Sequence, residues 1–446
     1  MARIAIPSVV SMSLLAAGLF AQPMLGTLGN GPPVEMRLYL PAPYLVLAPF
    51  CGLLDAMSLL SLRQHLATIV TAAVVFAAWR VVRASHQRRS VMPRVVSELR
   101  AAILLVLGIA AVYTVMTLVA RPMAAIELRN PDDLAVDFHS HTNASHDGNS
   151  SFGARASREW HRDAGFHAAY LSDHATFAGF LAAAPENPAV AGNGTMLLRA
   201  IEVSCEGEHL VLIGPVLNPS GDCDPRLVVD TGVVAILTIP GRLTSSHPRP
   251  PVRAIEVADG APRAIDQMAR DAGRIQTIAR LGALAQVASS NNHGWTRTAA
   301  AWSIVTIPGW RALDAAGLDA AIRARLARGA SGGIRVAERR RVAPPAGSLA
   351  LAATVFAVGW LLARDLSIAE RASWIGWTWL LWLAWRMSAR VRPNVGTAAA
   401  RGTRCSSAHS APGRLSRPRG SNARTRPSPP RPSARPSRPA PHRSAP

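Results

Sequence analysis

The sequence of 446 residues contains no lysine, so arginine carries all of its positive side-chain charge. The absence of lysine indicates coding bias rather than chemistry. The net charge of +21 would favour a nucleic-acid partner if it were spread evenly, but it lies in the flanks. Thirteen arginines and no acidic residue occur from Arg390 onward, whereas residues 131–338 hold 18 arginines and 21 acidic residues. We therefore expect no nucleic-acid partner for the folded middle of the chain.

Cysteine is scarce, and none of the four cysteines has CxxC spacing. This excludes a zinc ribbon and a dithiol redox motif. Cys205 and Cys223 both fall in the middle region and could form a disulfide in an oxidising compartment. Two buried free thiols fit the sequence equally well.

Long apolar runs predict a membrane region of about four spans over residues 1–122. Each approaches the roughly 20 residues that cross a bilayer core; the runs are Ile4–Ala21, Tyr44–Leu62, Leu66–Val82 and Ile103–Ala120. The first could instead be a signal sequence. Asp55 is the only charge well inside a run, which argues against a transporter or channel.

Two shorter apolar stretches, Leu349–Ala363 and Trp374–Trp385, predict a membrane hairpin over residues 346–389. Residues 390–446 are rich in proline, arginine and serine and predict a disordered tail. The arginines of this tail could attract anionic lipid or nucleic acid, or simply keep the tail solvated.

Charge asymmetry predicts the orientation of these spans in a bacterial inner membrane. Six arginines and one glutamate lie between Arg80 and Arg100, which places this loop in the cytoplasm by the positive-inside rule. One further crossing then makes residues 131–342 extracytoplasmic. Arg339 to Arg341 and the arginine-rich tail oppose this orientation, but long segments translocate with less regard to charge.

Residues 131–342 predict a folded α/β domain in which short strands alternate with helices. Helices are predicted over Arg155–Ala164, ending at Gly165, and over Pro262–Arg280. Strands are predicted over Leu134–Phe138, Phe166–Leu171, Leu197–Val203, His209–Ile213, Val233–Ile239, Arg253–Val257 and Leu284–Ala288. This alternation favours mostly parallel pairing, with ligands at the carboxyl ends of the strands.

Potential metal ligands follow these strands. His139 and His141 are two apart at the end of the first strand and therefore point to the same side. Asp147 follows the same strand, and further candidates lie near the ends of later strands: His174, Glu202, His209, Asn291 and His293.

The order of these residues resembles the PHP (polymerase and histidinol phosphatase) family over residues 134–310. The His-x-His opening, Ser172-Asp173-His174 and Ile201-Glu202-Val203 carry the resemblance. It implies a distorted β/α barrel, inserted here between transmembrane helices, and metal-dependent hydrolysis of a small phosphorylated substrate. The expected ions are zinc, manganese or iron.

The resemblance also implies roles for individual residues. His139 and His141 would share one ion with Glu202, and Glu202 would bridge to a second ion held by His209. Asp147, His174 and His293 would hold a third. Glu202 and His293 would be the catalytic members of this cage, and His146, Arg155 and His161 could contact substrate.

Two departures from the family weaken the predicted site. Ile239-Pro240 stands where the family has His-Pro, although His247-Pro248 lies nearby, and Asn291 replaces an aspartate. An amide is a neutral and weaker ligand than a carboxylate. We therefore expect two ions rather than three, and the alternative function is a catalytically degenerate domain that acts as a metal- or ligand-binding sensor.

Overall fold

The computed structural model describes residues 5–19, 25–28, 34–85, 91–205, 207–215, 232–239, 241, 243, 252–339 and 366–391. The helices are α1 (Ala5–Gly18), α2 (Ala42–Val46), α3 (Ala48–Ser58), α4 (Leu62–Ser85), α5 (Val91–Leu118), α6 (Ala154–Asp163), α7 (Ala178–Ala183), α8 (Pro262–Leu281), α9 (Ala315–Ala327) and α10 (Ile368–Val391). The strands are β1 (Leu25–Leu28), β2 (Met36–Tyr39), β3 (Ala125–Leu128), β4 (Asp133–Ser140), β5 (Ala168–Leu171), β6 (Met196–Cys205), β7 (Glu208–Ile213), β8 (Val234–Leu237), β9 (Val252–Asp259), β10 (Ala285–Ser289), β11 (Ala301–Thr306) and β12 (Arg335–Arg339).

Ten of these strands form one mixed sheet in the order β1-β12-β11-β4-β5-β6-β7-β8-β9-β10. The predicted α/β class is confirmed. The expectation of mostly parallel pairing is only partly right, because β4-β5-β6 and β8-β9-β10 are parallel while the other neighbours are antiparallel. The short β6–β7 connection forces one reversal, with Gly207 at φ 85°, a conformation that glycine adopts without strain.

The sheet curls so that its last strand approaches its middle. An isolated parallel bridge joins Ser140, at the end of β4, to Asn292, just after β10. The hydroxyl of Ser303 on β11 also accepts a hydrogen bond from the backbone N–H of Ala288 on β10. The carboxyl ends of β4 and β10 therefore meet although nothing in their sequence separation requires it.

Burial on both faces explains the continuous apolar strands of the domain. Leu134, Val136 and Phe138 of β4 enter one core cluster, and Ala135 enters another on the opposite face. Strands covered on both sides read as unbroken apolar runs. For this reason the predicted strands match the observed ones within a few residues.

Local signals set the two predicted helices. The helix α6 ends before Gly165, whose φ of 84° lies in the left-handed region that favours glycine. Proline stands in the first turn of α8, where its missing N–H costs nothing. Both helices are confirmed, with bounds within one residue of the prediction.

The apolar run Tyr44–Leu62 does not form the single span that the sequence predicts. It folds as α2 and α3, and proline occupies the first turn of each. A proline in the second helix cannot continue the first, because it lacks an N–H donor. The 11 residues of α3 extend about 16 Å, roughly half of a bilayer core.

Asp55 of α3 lies in a buried ionic network rather than in a lipid-facing span. Its side chain is 1% exposed, and its two oxygens contact Arg121 Nη2 and Arg339 Nη1, each at 3.1 Å. The hydroxyls of Tyr44 and Thr298 donate to the same carboxylate at 3.1 and 2.6 Å. The network ties α2 and α3 to the end of α5 and to β12.

Two helices are long and apolar enough to cross a membrane by length and composition. They cover Leu62–Arg83 and Val95–Leu118, and only 11% and 6% of their most apolar windows is buried. They pair as a hairpin, with Arg80 Nε 2.8 Å from Glu98 Oε2 near one end and His65 Nδ1 2.9 Å from Tyr113 Oη near the other. The predicted span Ile4–Ala21 is represented by the shorter helix α1.

The predicted C-terminal hairpin is described only in its second half. The helix α10 extends beyond the predicted Trp374–Trp385, whereas Leu349–Ala363 and the tail beyond residue 391 lie outside the described residues. The amino-terminal region also contributes strands that were not predicted. The strand β1 pairs with β12, and β2 pairs with β3.

The buried His167 makes the folding stability of the domain sensitive to acid. His167 accepts a hydrogen bond at Nδ1 from the backbone N–H of Ala135, 2.9 Å away. Burial, reinforced by Arg311, lowers the pKa of His167 from 6.5 to about 4. Between these pH values the unfolded chain binds a proton that the folded domain excludes, so stability falls as the pH drops through this window.

This shift predicts a loss of about 3 kcal/mol of unfolding free energy between pH 6.5 and 4. The variant His167→Asn keeps an acceptor near Nδ1 but cannot titrate in this range. We expect the difference in unfolding free energy between the parent protein and this variant to change by that amount across the window. If chemical denaturation gave the same pH dependence of unfolding free energy for both proteins, the lowered pKa would not belong to His167.

Candidate metal centre

The carboxyl end of β4 contributes two histidines, as the spacing predicted. His139 and His141 are buried, and their Nε2 atoms lie 2.9 Å apart. The Nδ1 atom of each ring faces the opposite way, toward Glu256 for His139 and toward the hydroxyl of Ser145 for His141. Both Nε2 atoms are therefore aimed at one shared point.

Glu202, at the end of β6, lies at the centre of the cluster. Its Oε2 atom is 3.1 Å from His139 Nε2 and 3.2 Å from His141 Nε2. The same oxygen is 3.3 Å from His174 Nδ1, while Oε1 is 2.8 Å from His209 Nδ1. One carboxylate thus contacts four imidazoles that come from three separate stretches of the chain.

A second group of side chains surrounds the mouth of the cluster. Asp147 lies 3.3 Å from His293 Nε2 through one oxygen and 3.7 Å from His174 Nε2 through the other. The rings of His141 and His293 stack with centroids 3.9 Å apart. The exposed ring of His146 lies 5.0 Å from that of His174. These residues form the solvent-facing side of the site.

Glu256 was not among the predicted site residues, yet it lies at the base of the cluster. It is 0% exposed, and its Oε1 atom accepts a hydrogen bond from His139 Nδ1 at 2.9 Å. The hydroxyl of Ser289 and the backbone N–H of Ile239 also donate to this carboxylate. A sequence signal existed: Arg253-Ala254-Ile255-Glu256-Val257 repeats the pentapeptide that contains Glu202.

Asn291 and Asp259 complete the base of the site. Asn291 has a φ of 46°, and its Nδ2 atom donates to Asp259 Oδ2 at 3.0 Å. The Oδ1 atom of Asn291 is buried and has no hydrogen-bond partner in the structure. Asp259 was not predicted either. The structure therefore sets a carboxylate beside the position where the sequence has an amide.

Three side chains named in the sequence analysis take other positions. Arg155 is 85% exposed and pairs with Glu159 one helical turn away, so it does not join the cluster. His161 is buried and contacts Asp137 at 3.0 Å, which makes it a packing residue rather than a substrate contact. Ile239 packs in the core, and its contribution is the backbone N–H that binds Glu256. His247 lies outside the described residues.

The charges of the cluster are strongly coupled. Burial alone would raise the pKa of Glu202, but His139 outweighs it and holds this pKa well below the usual value. Burial would likewise lower the pKa of His139, but Glu256 and Glu202 raise it well above the usual value. Burial lowers the pKa of His141 and of His293, which keeps both rings neutral. His141, His293 and the ionised Glu202 thus have the protonation states that a metal ion requires, whereas His139 would give up a proton on binding one.

The donor set fits divalent metal ions. Each of four groups offers ligand atoms within 4.8 Å of one another: His139-His141-Glu202, His141-His174-His293, His146-Asp147-His174 and His139-Glu256-Asp259. His293 Nε2 lies 3.3 Å from Asp147 Oδ2 without the geometry of a hydrogen bond, so both atoms are available to a shared cation. Imidazole and carboxylate ligands suit zinc, manganese or iron.

The contact between Glu256 and His139 predicts a measurable effect of a conservative substitution. Glu256 accepts three hydrogen bonds, so in Glu256→Gln the new NH2 group must face a donor. His139 would lose its fixed orientation, and we expect metal affinity to fall about 10–100-fold. Titration with zinc against a chelating indicator measures this, and unchanged affinity would show that Glu256 does not orient His139.

No family model matches the sequence, and no curated protein matches it. Seven chains of solved structures match. PsfC from Pseudomonas syringae PB-5123 is 12% identical, with a TM-score of 0.34, over 53% of this chain and 100% of its own. A Bifidobacterium adolescentis protein described as a metal-dependent phosphoesterase is 17% identical (TM-score 0.27; 44% and 96% covered), and a Chromobacterium violaceum amidohydrolase is 16% identical (0.25; 40% and 89%). Likeness at this level carries no argument about function, which rests on the residues of this chain.

Proposed function

We propose that the protein is a membrane-anchored, metal-dependent phosphoesterase with a PHP-like barrel. The observation that carries the proposal is the single Glu202 carboxylate in contact with four histidines. Such a carboxylate is suited to bridge two cations. Bound divalent ions would lower the pKa of water and stabilise the negative charge that develops on a phosphoryl group.

The residues of the site would have different roles in binding metal and substrate. His139, His141 and Glu202 would hold one ion, Glu202 and His209 a second, and Asp147, His174 and His293 form the remaining group. Glu256 holds the proton on His139 Nδ1 and so leaves Nε2 free to bind. The exposed His146, beside His174, is positioned to meet a phosphate group. Two ions, rather than three, remain our expectation because Ile239 and Asn291 stand where the PHP family has a histidine and an aspartate ligand.

We propose further that residues 121–339 are extracytoplasmic. Arg80, which pairs with Glu98, lies toward the end of the hairpin α4–α5 away from the sheet, and the positive-inside rule would place that end in the cytoplasm, one crossing from the metal cluster. Cys205 is disulfide-bonded, which agrees with an oxidising compartment. Its predicted partner Cys223 lies outside the described residues.

Purification of the full-length protein in detergent, followed by elemental analysis and a panel of phosphoesters, tests the function. We expect bound divalent metal together with phosphatase activity, and loss of both in His139→Ala. Metal without turnover would favour a sensory domain, which the amide at Asn291 motivates. Absence of bound metal would contradict both the phosphoesterase and the metal-binding sensory domain.

A further inference from the structure

Among the described residues, Arg121 after α5 and Arg339 at the end of β12 both lie at the end of the sheet that carries the metal cluster. Arg121, which follows α5, donates to the hydroxyl of Thr298 at 3.0 Å. At the end of β12, the backbone N–H of Arg339 donates to the carbonyl of Ala300 at 2.8 Å. Thr298 and Ala300 belong to the segment 290–300, which also contains His293. The domain is therefore tethered on the side where its candidate site opens.

The hairpin α4–α5 adjoins the same end of the sheet at a second point. The backbone N–H of Arg63, at the start of α4, donates to Asp266 Oδ2 at 3.1 Å. Asp266 lies in the first turns of α8, which begins three residues after Asp259 of the cluster. The start of α4 and the end of α5 thus both lie beside the strand ends that carry the site.

The rim of the site has the character of a membrane interface. Trp295 is 49% exposed, and its indole N–H donates to the carbonyl of Asp147 at 3.1 Å. The exposed large apolar side chains among the described residues 121–339 are this tryptophan, Leu181, and Leu281, which lies at the far end of α8 from the site. Tryptophan concentrates at the headgroup level of bilayers. The exposed arginines Arg63 and Arg263 at the same end would attract anionic headgroups.

We infer that the candidate site faces the bilayer and that its substrate is a membrane lipid with a phosphate headgroup. The inference rests on the proposed phosphoesterase function. With phosphatidic acid, water adds to phosphorus and the bond from phosphorus to the glycerol oxygen breaks. The glycerol oxygen takes up a proton, so the products are inorganic phosphate and diacylglycerol, which stays in the bilayer.

Lipid and water-soluble substrates with the same headgroup test the inference. The full-length protein is placed in phosphatidylcholine nanodiscs that contain phosphatidic acid or phosphatidylglycerol. Glycerol 3-phosphate and glycerophosphoglycerol, at equal total phosphorus, are the soluble counterparts. We expect hydrolysis of one lipid to exceed that of its counterpart by roughly tenfold or more, because the anchor raises the local concentration of lipid.

The outcomes separate the inference from the function on which it rests. Equal or faster hydrolysis of the soluble counterparts overturns the inference that the substrate is a lipid. It leaves the proposed phosphoesterase function unaffected. Hydrolysis of p-nitrophenyl phosphate without hydrolysis of either lipid does the same. Failure with every phosphoester defeats the proposed function itself.

Fluorophores at the two ends of the sheet test the geometry without turnover. Ser150→Cys lies in the loop after β4, at the end of the site, and Asn193→Cys lies before β6, at the opposite end; both residues are exposed. We expect nitroxide-labelled lipids in the nanodisc to quench a bimane dye at residue 150 more strongly than at residue 193. Labelling of the parent protein supplies the background. Equal quenching, or stronger quenching at residue 193, would overturn the inference.

Discussion

Replacement of Glu202 by glutamine is expected to abolish metal binding and to lower turnover in the proposed phosphoesterase reaction by roughly a thousandfold. Glutamine has nearly the same shape, but it removes the charge that one carboxylate shares among four imidazoles. Its NH2 group would also face nitrogen atoms that must stay free for a cation. Loss of charge stabilisation of several kcal/mol corresponds to a rate loss of this size. Metal content by mass spectrometry and turnover of a phosphoester measure the two effects.

A matched control for this substitution is Glu159→Gln. Glu159 is exposed and pairs with Arg155 on the surface of α6, away from the cluster. We expect its metal content and turnover to equal those of the parent protein. A Glu202→Gln protein that retained full metal and full activity would exclude Glu202 as the bridging ligand.

The largest effect on stability is expected from Asp55→Asn. The carboxylate of Asp55 neutralises Arg121 and Arg339, and all three side chains are nearly or fully buried. Loss of its charge removes the carboxylate that contacts both buried guanidinium groups, at a cost of about 3–5 kcal/mol. For a domain of this size that corresponds to a fall in the unfolding midpoint of roughly 10 °C. Differential scanning fluorimetry of the full-length protein in detergent measures it.

Glu127→Gln is the corresponding control, because it removes an ion pair whose partners are both well exposed. Glu127 contacts Arg37 at 2.9 Å across β2 and β3. Exposed pairs of this kind contribute up to about 1 kcal/mol. If the two variants unfolded at the same temperature, the buried network around Asp55 would not hold α3 against the sheet.

The approach of the candidate ligands to one another could be predicted because they lie near the ends of strands that the apolar pattern of the sequence predicts. His139 and His141 gain their common direction from strand alternation, and His174, Glu202 and His293 follow apolar runs. The structure brings these residues together, although their roles as ligands and catalysts stay predictions. Glu256 was not predicted, although it occupies the same place in β9 that Glu202 occupies in β6, three residues before the strand ends. The curl of the sheet, which no local pattern encodes, turns Glu256 toward His139.

The amino-terminal region shows where a sequence pattern misleads. The run Tyr44–Leu62 is as apolar as a membrane span, and the counter-ions of Asp55 lie 66 and 284 positions away in the sequence. No local sequence pattern could predict ion-pair partners that lie so far from Asp55 in the sequence. The four-residue strands β1 to β3 are also too short to show a period. Long-range pairing, rather than local preference, forms these parts of the fold.

The pairing of β1 with β12 delays completion of the sheet until late in translation. Leu25 lies opposite Arg339, an interval of 339 − 25 = 314 residues. At translation rates of about 5–20 residues per second, the first strand waits roughly 15–60 seconds for its partner to be synthesised. During that delay its backbone donors and acceptors are free to engage the wrong neighbour. The amino-terminal strand can therefore pair with β12, and complete its edge of the sheet, only after the ribosome has synthesised the rest of the sheet.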